Sequence, residues 1–455
     1  MRHMKINYSF FLIILLLAFT KNQAQETQGN AELSGTKKIL TLKEAVEIAL
    51  ENSDAAALAK TKVKTSKLDL DITKNNSYPS VEATGQYLRL SSAHVDSNLQ
   101  SNNSSSSGSS APLKVDQLII GQVNVTMPFF NGFKLKNSIN TSESLYKAET
   151  FSEKHSKEQL GIEIVTLFSK LYKAQQLTTV IEDNLKTAEQ RVKDFTAMEE
   201  NGLIARNDLL KAQLQQSNVQ LSLDNAKKNT AIANYKLITL LKLPETTAIE
   251  IDIETIKKDM ISNQENKTAG ERNDLKSLEP KKAAAESNIK IAKGNYYPSI
   301  SLSGGYITFD LNNVLTVTNA MNVGVGLSYD LSNIFKNGKQ VKLAQSKAKE
   351  TEIEVAMMSD QIKEEVFQAK ENYALSLKQS SVYEKALEQA TENYRIVKDK
   401  YDNNLSDTND LLEADNQQLQ AKINQALSKA DIAQKYYELQ YASGKLINSL
   451  NITPN

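Results

Sequence analysis

Two stretches of alternating sequence, set far apart in an otherwise helix-forming chain, limit what it can fold into. The first opens Tyr78-Pro79-Ser80-Val81-Glu82-Ala83-Thr84-Gly85-Gln86-Tyr87, and the second opens Tyr297-Pro298-Ser299-Ile300-Ser301-Leu302-Ser303-Gly304-Gly305-Tyr306. Each is followed by another alternating run. Val123, Val125, Met127 and Phe129 alternate with Asn124, Thr126 and Pro128, and Val323, Val325, Leu327 and Tyr329 alternate with Gly324, Gly326 and Ser328. A period of two gives a strand one apolar face and one polar or small face. The pattern predicts two β-hairpins, at about residues 80–129 and 299–331. In the first, strands over about Ser80–Leu90 and Gln117–Phe129 are near the length that crosses a bilayer at a tilt. Ser91–Ser110 reads as a solvated Ser/Asn loop, longer than its counterpart at Asp310–Asn319.

The amino-terminal residues 1–25 have the pattern of a signal peptide. Arg2 and Lys5 precede an apolar run, Phe10–Phe19, too short to span a bilayer, and Ala24 supplies a small residue for cleavage. No later window is apolar enough for a transmembrane helix. The 54 basic and 54 acidic side chains cancel, which removes the electrostatic case for nucleic acid. The absence of Cys excludes disulfides, zinc-thiolate sites and thiol catalysis. No nucleophile–base pair, metal cluster or phosphate loop stands out, so neither an enzyme nor a cofactor is expected.

The remainder reads as long helices. Leu40 to about Asn76 is expected to be one helix, with Thr41 and Glu44 forming a capping box. Phe133–Glu200 holds no Pro and one Gly, Gly161. As a helix it would be roughly 100 Å long. Asn201-Gly202-Leu203 breaks it, and a second helix runs from Asn207 to Leu243. Apolar residues Ile181, Leu185, Ala188, Val192 and Phe195 recur at the 3.5-residue period of a coiled coil, and so do Val219, Leu223 and Ala226. The second half repeats the plan. Lys339–Asn403 carries Leu387, Ala390, Tyr394, Val397 and Tyr401, and the helix after the break at Asn403-Asn404-Leu405 carries Leu419, Ile423, Ala426, Ala430, Ala433 and Tyr437. This duplication sets the layout. A first repeat covers 26–244 with a helical-hairpin tip at about 201–208. A polar segment follows at 245–272, with a β-like run Ala248–Ile253. The second repeat covers 273–447, its first helix capped by Asn273 or Asp274 and its tip at about 403–410. A tail, 448–455, closes the chain.

Four strands cannot stand alone in a membrane, because open edges leave unpaired N–H and C=O groups in hydrocarbon. If the apolar faces meet lipid, several chains must pool strands, and three chains giving twelve is the expected number. Tyr87, Phe129, Phe130, Tyr306 and Tyr329 then sit near strand ends as membrane-interface aromatics. The alternative is that they fill the core of a soluble sandwich. The helices continue below the barrel either as a solid coiled-coil rod or as a tube. The tube is favoured because twelve helical ends cannot converge on one axis.

Several segments carry a resemblance to a known family. They are Leu40-Thr41-Leu42-Lys43-Glu44-Ala45 with Ala49-Leu50-Glu51-Asn52, both Tyr-Pro-Ser starts, Gly202-Leu203-Ile204-Ala205, Arg272-Asn273-Asp274-Leu275 and Asp410-Leu411-Leu412-Glu413-Ala414. In these the chain resembles the TolC family of outer-membrane efflux proteins, over nearly everything after the leader. The resemblance implies a mainly α fold with a membrane β-barrel. Long antiparallel coiled-coil helices would form an α-barrel, continued by a shared twelve-stranded barrel in a homotrimer. It further implies a passive exit duct of a tripartite efflux or type I secretion system, in the bacterial outer membrane with a large periplasmic part. Substrate would come from an inner-membrane transporter of RND, ABC or MFS type through a periplasmic adaptor. By the same resemblance Gly202, Leu203, Ile204, Ala205, Asn404 and Leu405 would meet the adaptor, and Asp208 and Tyr401 would latch the tip. Ser406 falls where some members have Arg, so one latch contact is missing. Asp410 and Glu413 match the periplasmic constriction. One turn apart, they share a helix face, and three copies would ring a bore with six carboxylates that favour cations. The alternatives are an ordinary solvated helix face at these two residues and, for the chain as a whole, a secreted or surface coiled-coil structural or adhesive protein.

Overall fold

The computed structural model describes residues 37–95, 113–251, 272–312 and 314–452. The expected signal peptide, the middle of the first hairpin loop and most of the 245–272 segment lie outside these residues. In chain order the elements are β1 (Lys37–Leu40), α1 (Leu42–Asn52), α2 (Asp54–Asn75), β2 (Ser80–Val95), β3 (Leu113–Phe130), α3 (Lys134–Glu200) and α4 (Arg206–Leu241). They continue with β4 (Ala248–Ile251), α5 (Asn273–Gly294), β5 (Ser299–Leu311), β6 (Leu315–Ser328), α6 (Ser332–Asp402), α7 (Thr408–Ala442) and a short α8 (Leu446–Ser449).

The capping box at α1 forms as expected. Glu44 N–H donates to Thr41 Oγ1 at 3.3 Å, and Thr41 N–H donates to the Glu44 carboxylate at 3.0 Å. The single helix expected over Leu40–Asn76 does not form. Ser53 is extended, and its hydroxyl accepts from Ala56 N–H at 3.2 Å, so it caps a new helix, α2. Leu40 belongs to β1, which pairs in parallel with β4, the strand within the expected β-like run. Asn273 and Asp274 do not cap α5. The residue before the helix is Arg272, and no side chain supplies the cap bond.

The four long strands form one antiparallel sheet in the order β2-β3-β5-β6. Val81 pairs with Val125, Val123 with Tyr306, Leu302 with Val325, and Tyr306 with Met321. Directly paired residues share a face, so the register gathers these side chains on one side. Val81, Val323 and Val325 there are largely exposed, Val323 at 83%. Glu82, Thr84, Asn124, Thr126, Ser303 and Asn322 occupy the other side. The strands of the first hairpin outrun the expected Ser80–Leu90 and Gln117–Phe129. Ala93 and His94 pair with Val115 and Lys114 beyond a register shift after Arg89. Backbone pairing to β3 holds this polar run as strand where composition suggested loop. The second hairpin is tighter than the expected Asp310–Asn319 loop, since β6 already starts at Leu315 and Thr316 Oγ1 donates to Asp310 Oδ1 at 2.6 Å.

Below the sheet, α3 (67 residues) and α6 (71 residues) are each about 100 Å long. Each folds back on a helix half its length, α4 or α7. The largest buried cluster lies midway along α3, where Ile164, Phe168 and Leu171 meet Leu42 and Val46 of α1, Leu237 and Leu241 of α4, Ile249 of β4, Tyr437 of α7 and Leu446. A second cluster is the α3–α4 seam, with Ile181, Leu185, Val219, Leu223 and Ala226.

Sheet and helices join at a backbone crossing. Gly132 has φ +68, and a Cβ there would lie 2.2 Å from the Gly294 carbonyl oxygen, while a Cβ on Gly294 would lie 2.7 Å from Gly132 O. Only glycine fits either side. Gly132→Ala is therefore expected to reduce the yield of folded, detergent-extractable protein sharply. It adds a backbone clash to the ~1–2 kcal/mol left-handed penalty. Gly85→Ala, whose methyl meets nothing within 4 Å, is expected to leave the yield near wild type in the same extraction.

Candidate functional site at the helical hairpin tips

Both hairpin tips end their first helix with the same bonds. Leu203 N–H donates to Met198 O at 2.8 Å, and Gly202 N–H to Glu199 O at 2.9 Å. In the second repeat Leu405 N–H donates to Lys400 O at 2.8 Å, and Asn404 N–H to Tyr401 O at 2.9 Å. Gly202 (φ +72) and Asn404 (φ +58) occupy the same left-handed position, which Asn reaches more readily than other side chains. The departure from Gly at 404 thus leaves the turn unchanged. Leu203 and Leu405, which follow, are 70% and 77% exposed. A leucine at this position commonly packs back on its own helix, and here both point outward.

Just above the turns, Phe195 of α3, Leu209 and Ala212 of α4 and Leu411 of α7 form a buried cluster, flanked by Tyr394, Val397 and Tyr401 of α6. It joins the two hairpins. The expected latch residues, Asp208 and Tyr401, line one cleft of about 980 Å³ between the hairpins but do not bond to each other. Asp208 pairs with Lys211, one turn along its own helix, at 3.6 Å. Tyr401 stacks on Phe195 with ring centroids 5.8 Å apart, and its buried hydroxyl has no hydrogen-bond partner. The local pairing of Asp208 and the aromatic stacking of Tyr401 take precedence in the single chain.

Asp410 and Glu413 are exposed on α7. Ser406 Oγ donates to Asp410 Oδ2 at 2.8 Å, Asp410 N–H donates to the capping Asp407 carboxylate at 2.9 Å, and Gln417 Nε2 donates to Glu413 Oε1 at 3.0 Å. Neither makes an ion pair among the described residues. The Ser406 hydroxyl brings Asp410 a hydrogen bond but no positive charge.

Sequence reasoning missed the one strongly buried charge pair here. Arg191 of α3 donates to Asp415 Oδ2 of α7 at 2.9 Å, with side chains 8% and 3% exposed. Arg191 also donates to Tyr394 Oη at 3.3 Å, and Gln215 of α4 donates to the same Asp415 oxygen at 3.2 Å. Four helices meet on one guanidinium–carboxylate contact. The only sequence signal was a charge beside each apolar seam, at Arg191 before Val192 and at Asp415 after Ala414.

The aromatics divide into two levels. Phe129, Phe130 and Tyr329 lie at the helix-side end of the sheet, where Phe130 packs edge-on against Phe133 at 5.2 Å and Tyr329 Oη donates to Tyr296 O at 3.3 Å. Exposed Tyr78, Tyr297, Phe133 and Phe335 share this end and were not anticipated, although two of them precede the hairpin prolines. Tyr87 and Tyr306 are not near strand ends, as had been expected. Because the strands run on, Tyr87 falls midway along the 16-residue β2 and Tyr306 midway along the 13-residue β5. Among the described residues no group of His, Asp and Glu could hold a metal ion.

The tip contact predicts a measurable asymmetry. Asp415→Ala strands a buried guanidinium and is expected to cost about 3–5 kcal/mol, whereas replacing the pair together by Met and Leu should recover most of that loss. Hydrogen exchange at residues 191–215 and 394–415 checks both outcomes.

Residues 266–445 match the family model described as outer membrane efflux protein. No curated protein sequence matches the chain. Among solved structures, the fold is similar to the CmeC outer membrane channel of Campylobacter jejuni, with TM-score 0.74 and 17% identity over 89% of this chain and 86% of that one. It is similar to the outer membrane protein VceC of Vibrio cholerae, with TM-score 0.73 and 15% identity over 89% and 96%. The open-state MtrE outer membrane channel of Neisseria gonorrhoeae gives TM-score 0.70 and 16% identity over 89% of each chain. The second repeat thus carries the sequence pattern of the outer membrane efflux proteins, on a chain whose fold is that of outer-membrane channels.

Proposed function

We propose that three copies of this chain close a twelve-stranded barrel and that the assembly is the passive exit duct of a tripartite efflux or type I secretion system, gated at the hairpin tips. The observation that carries this reading is the sheet. Over the half nearest the helices, one face is apolar and exposed across all four strands and the opposite face is polar. Toward the loop end Leu88, Ile120, Ile307 and Phe309 join that second face, and β2 and β6 each have one unpaired edge. In hydrocarbon such edges cost several kcal/mol per unsatisfied group. Joining β6 of one copy to β2 of the next removes every edge and turns the polar faces toward a water-filled bore.

At the other end, the outward Leu203 and Leu405 support a docking role for Gly202–Ala205 and Asn404–Leu405 toward a periplasmic adaptor, which would receive substrate from an inner-membrane transporter. Asp410 and Glu413, unneutralised and solvent-facing, support a constriction that selects cations. Asp208 and Tyr401, in one cleft yet not bonded to each other, fit a latch whose remaining partners come from a neighbouring copy.

Native mass spectrometry of protein extracted in detergent from outer membranes tests the assembly. A trimer is expected, and a membrane-stable monomer would overturn the shared barrel. In planar bilayers, replacing Asp410 and Glu413 by Ala is expected to reduce cation preference and cation block, and unchanged selectivity would remove the constriction assignment.

A further inference from the structure

Between the sheet and the tips, α3 brings His155 and Glu158 against the start of α5. Glu158 is 6% exposed, and its carboxyl accepts from Asn273 Nδ2 at 3.2 Å. Arg272 donates to both carboxylate oxygens of Asp274, at 3.1 and 2.6 Å, and to Glu365 of α6. Tyr441 of α7 lies 5.8 Å from the Arg272 guanidinium and 6.4 Å from the His155 ring. Gly444, just after α7, backs onto Arg272, where a Cβ would lie 3.1 Å from the Arg272 Cα. Side chains from α3, α5, α6 and α7 therefore converge here, and both repeats contribute.

The charges do not balance locally. Glu158, Asp274 and Glu365 surround one guanidinium, whose donors go to Asp274 and Glu365, so Glu158 receives only an amide. Burial, and then the negative charge of Asp274, push Glu158 up to about 7, against the opposing charges of Arg272 and Lys276. Burial would also raise Asp274, but its bonds to Arg272 outweigh this and hold it below the usual range. Burial lowers His155, and its Nδ1 has no hydrogen-bond partner.

We propose that this cluster is a proton-operated clamp between the two repeats. With Glu158 protonated, its carboxyl stays buried against Asn273 and holds the first turn of α5 on α3. With Glu158 ionised, it repels Asp274 across the same contact, and the turn opens more often. A carboxyl raised by folding contributes stability that is full below its ordinary value of 4.5 and is lost as pH rises through about 7. His155 acts in the opposite sense, because a lowered imidazole loses stability as pH falls below 6.5. The substitution must therefore isolate Glu158.

Glu158→Gln keeps the shape and fixes the neutral form. In thermal unfolding of the detergent-purified full-length protein, the variant is expected to melt several degrees above wild type at pH 8. That advantage should shrink steadily toward pH 5. A constant offset between the two proteins across this range, or a variant less stable at pH 8, overturns the proposal. Should the variant fail to fold, wild-type hydrogen exchange at residues 273–280, corrected for intrinsic rates, decides it. More frequent opening at pH 8 than at pH 6 supports the clamp, and equal protection overturns it.

Discussion

The structure depends on the hydrogen-bonding demand of backbone in hydrocarbon. A four-stranded sheet with an exposed apolar face satisfies water on neither the greasy side nor, in lipid, along its edges. The demand fixes the sense of the alternation, with Val81, Val123, Leu302 and Val325 on one face and Glu82, Asn124, Ser303 and Asn322 on the other. It also fixes what happens beneath the sheet. Two strand ends and two helix ends of one chain must pass each other within a narrow sector. They do so where Gly132 meets the Gly294 carbonyl, a crossing at which neither backbone leaves room for a Cβ.

The helices show the same incompleteness by burial. Along its 67 residues α3 buries fifteen residues, packing on α2, α4, α5 and α7 of its own chain. Along 71 residues α6 buries only Asn337, Ala369 and Ser376, and Met357, Phe367 and Leu375 stay open to solvent. A helix of that length draws its stability from packing rather than from propensity. The uncovered stripe on α6 and the unpaired edge of β6 follow one another in sequence. One set of neighbours would satisfy both.

Legibility in the sequence follows the range of the interaction. The hairpins, the long helices, both tip turns and the Thr41–Glu44 cap depend on residues close together, through a period of two, a period of 3.5 or a local capping bond, and all could be read. Ser53 ended a helix early because a single hydroxyl can cap, a signal lost within Ala-rich sequence. The strands of the first hairpin outran their pattern, because a partner strand can hold a polar residue such as His94 once the ladder has begun, and this moved Tyr87 away from a strand end. Arg191–Asp415 and Arg272–Glu365 join residues 224 and 93 apart, and no spacing rule connects them. Asp208 and Tyr401 show the converse. Resemblance could name them as latch positions, but within one chain Asp208 pairs with Lys211 and Tyr401 stacks on Phe195.

The two long-range charge clusters share a logic that apolar packing cannot supply. Within each hairpin a short hydrogen-bonded turn sets how the two helices align, but between the hairpins apolar contacts alone leave the axial register open. A guanidinium fixes it, because its donors are few and directional and because displacing it leaves a buried charge unpaired. Arg191 fixes α3 against α7, one repeat against the other, near the tip, and Arg272 fixes α5 against α6 within the second repeat, between sheet and tip.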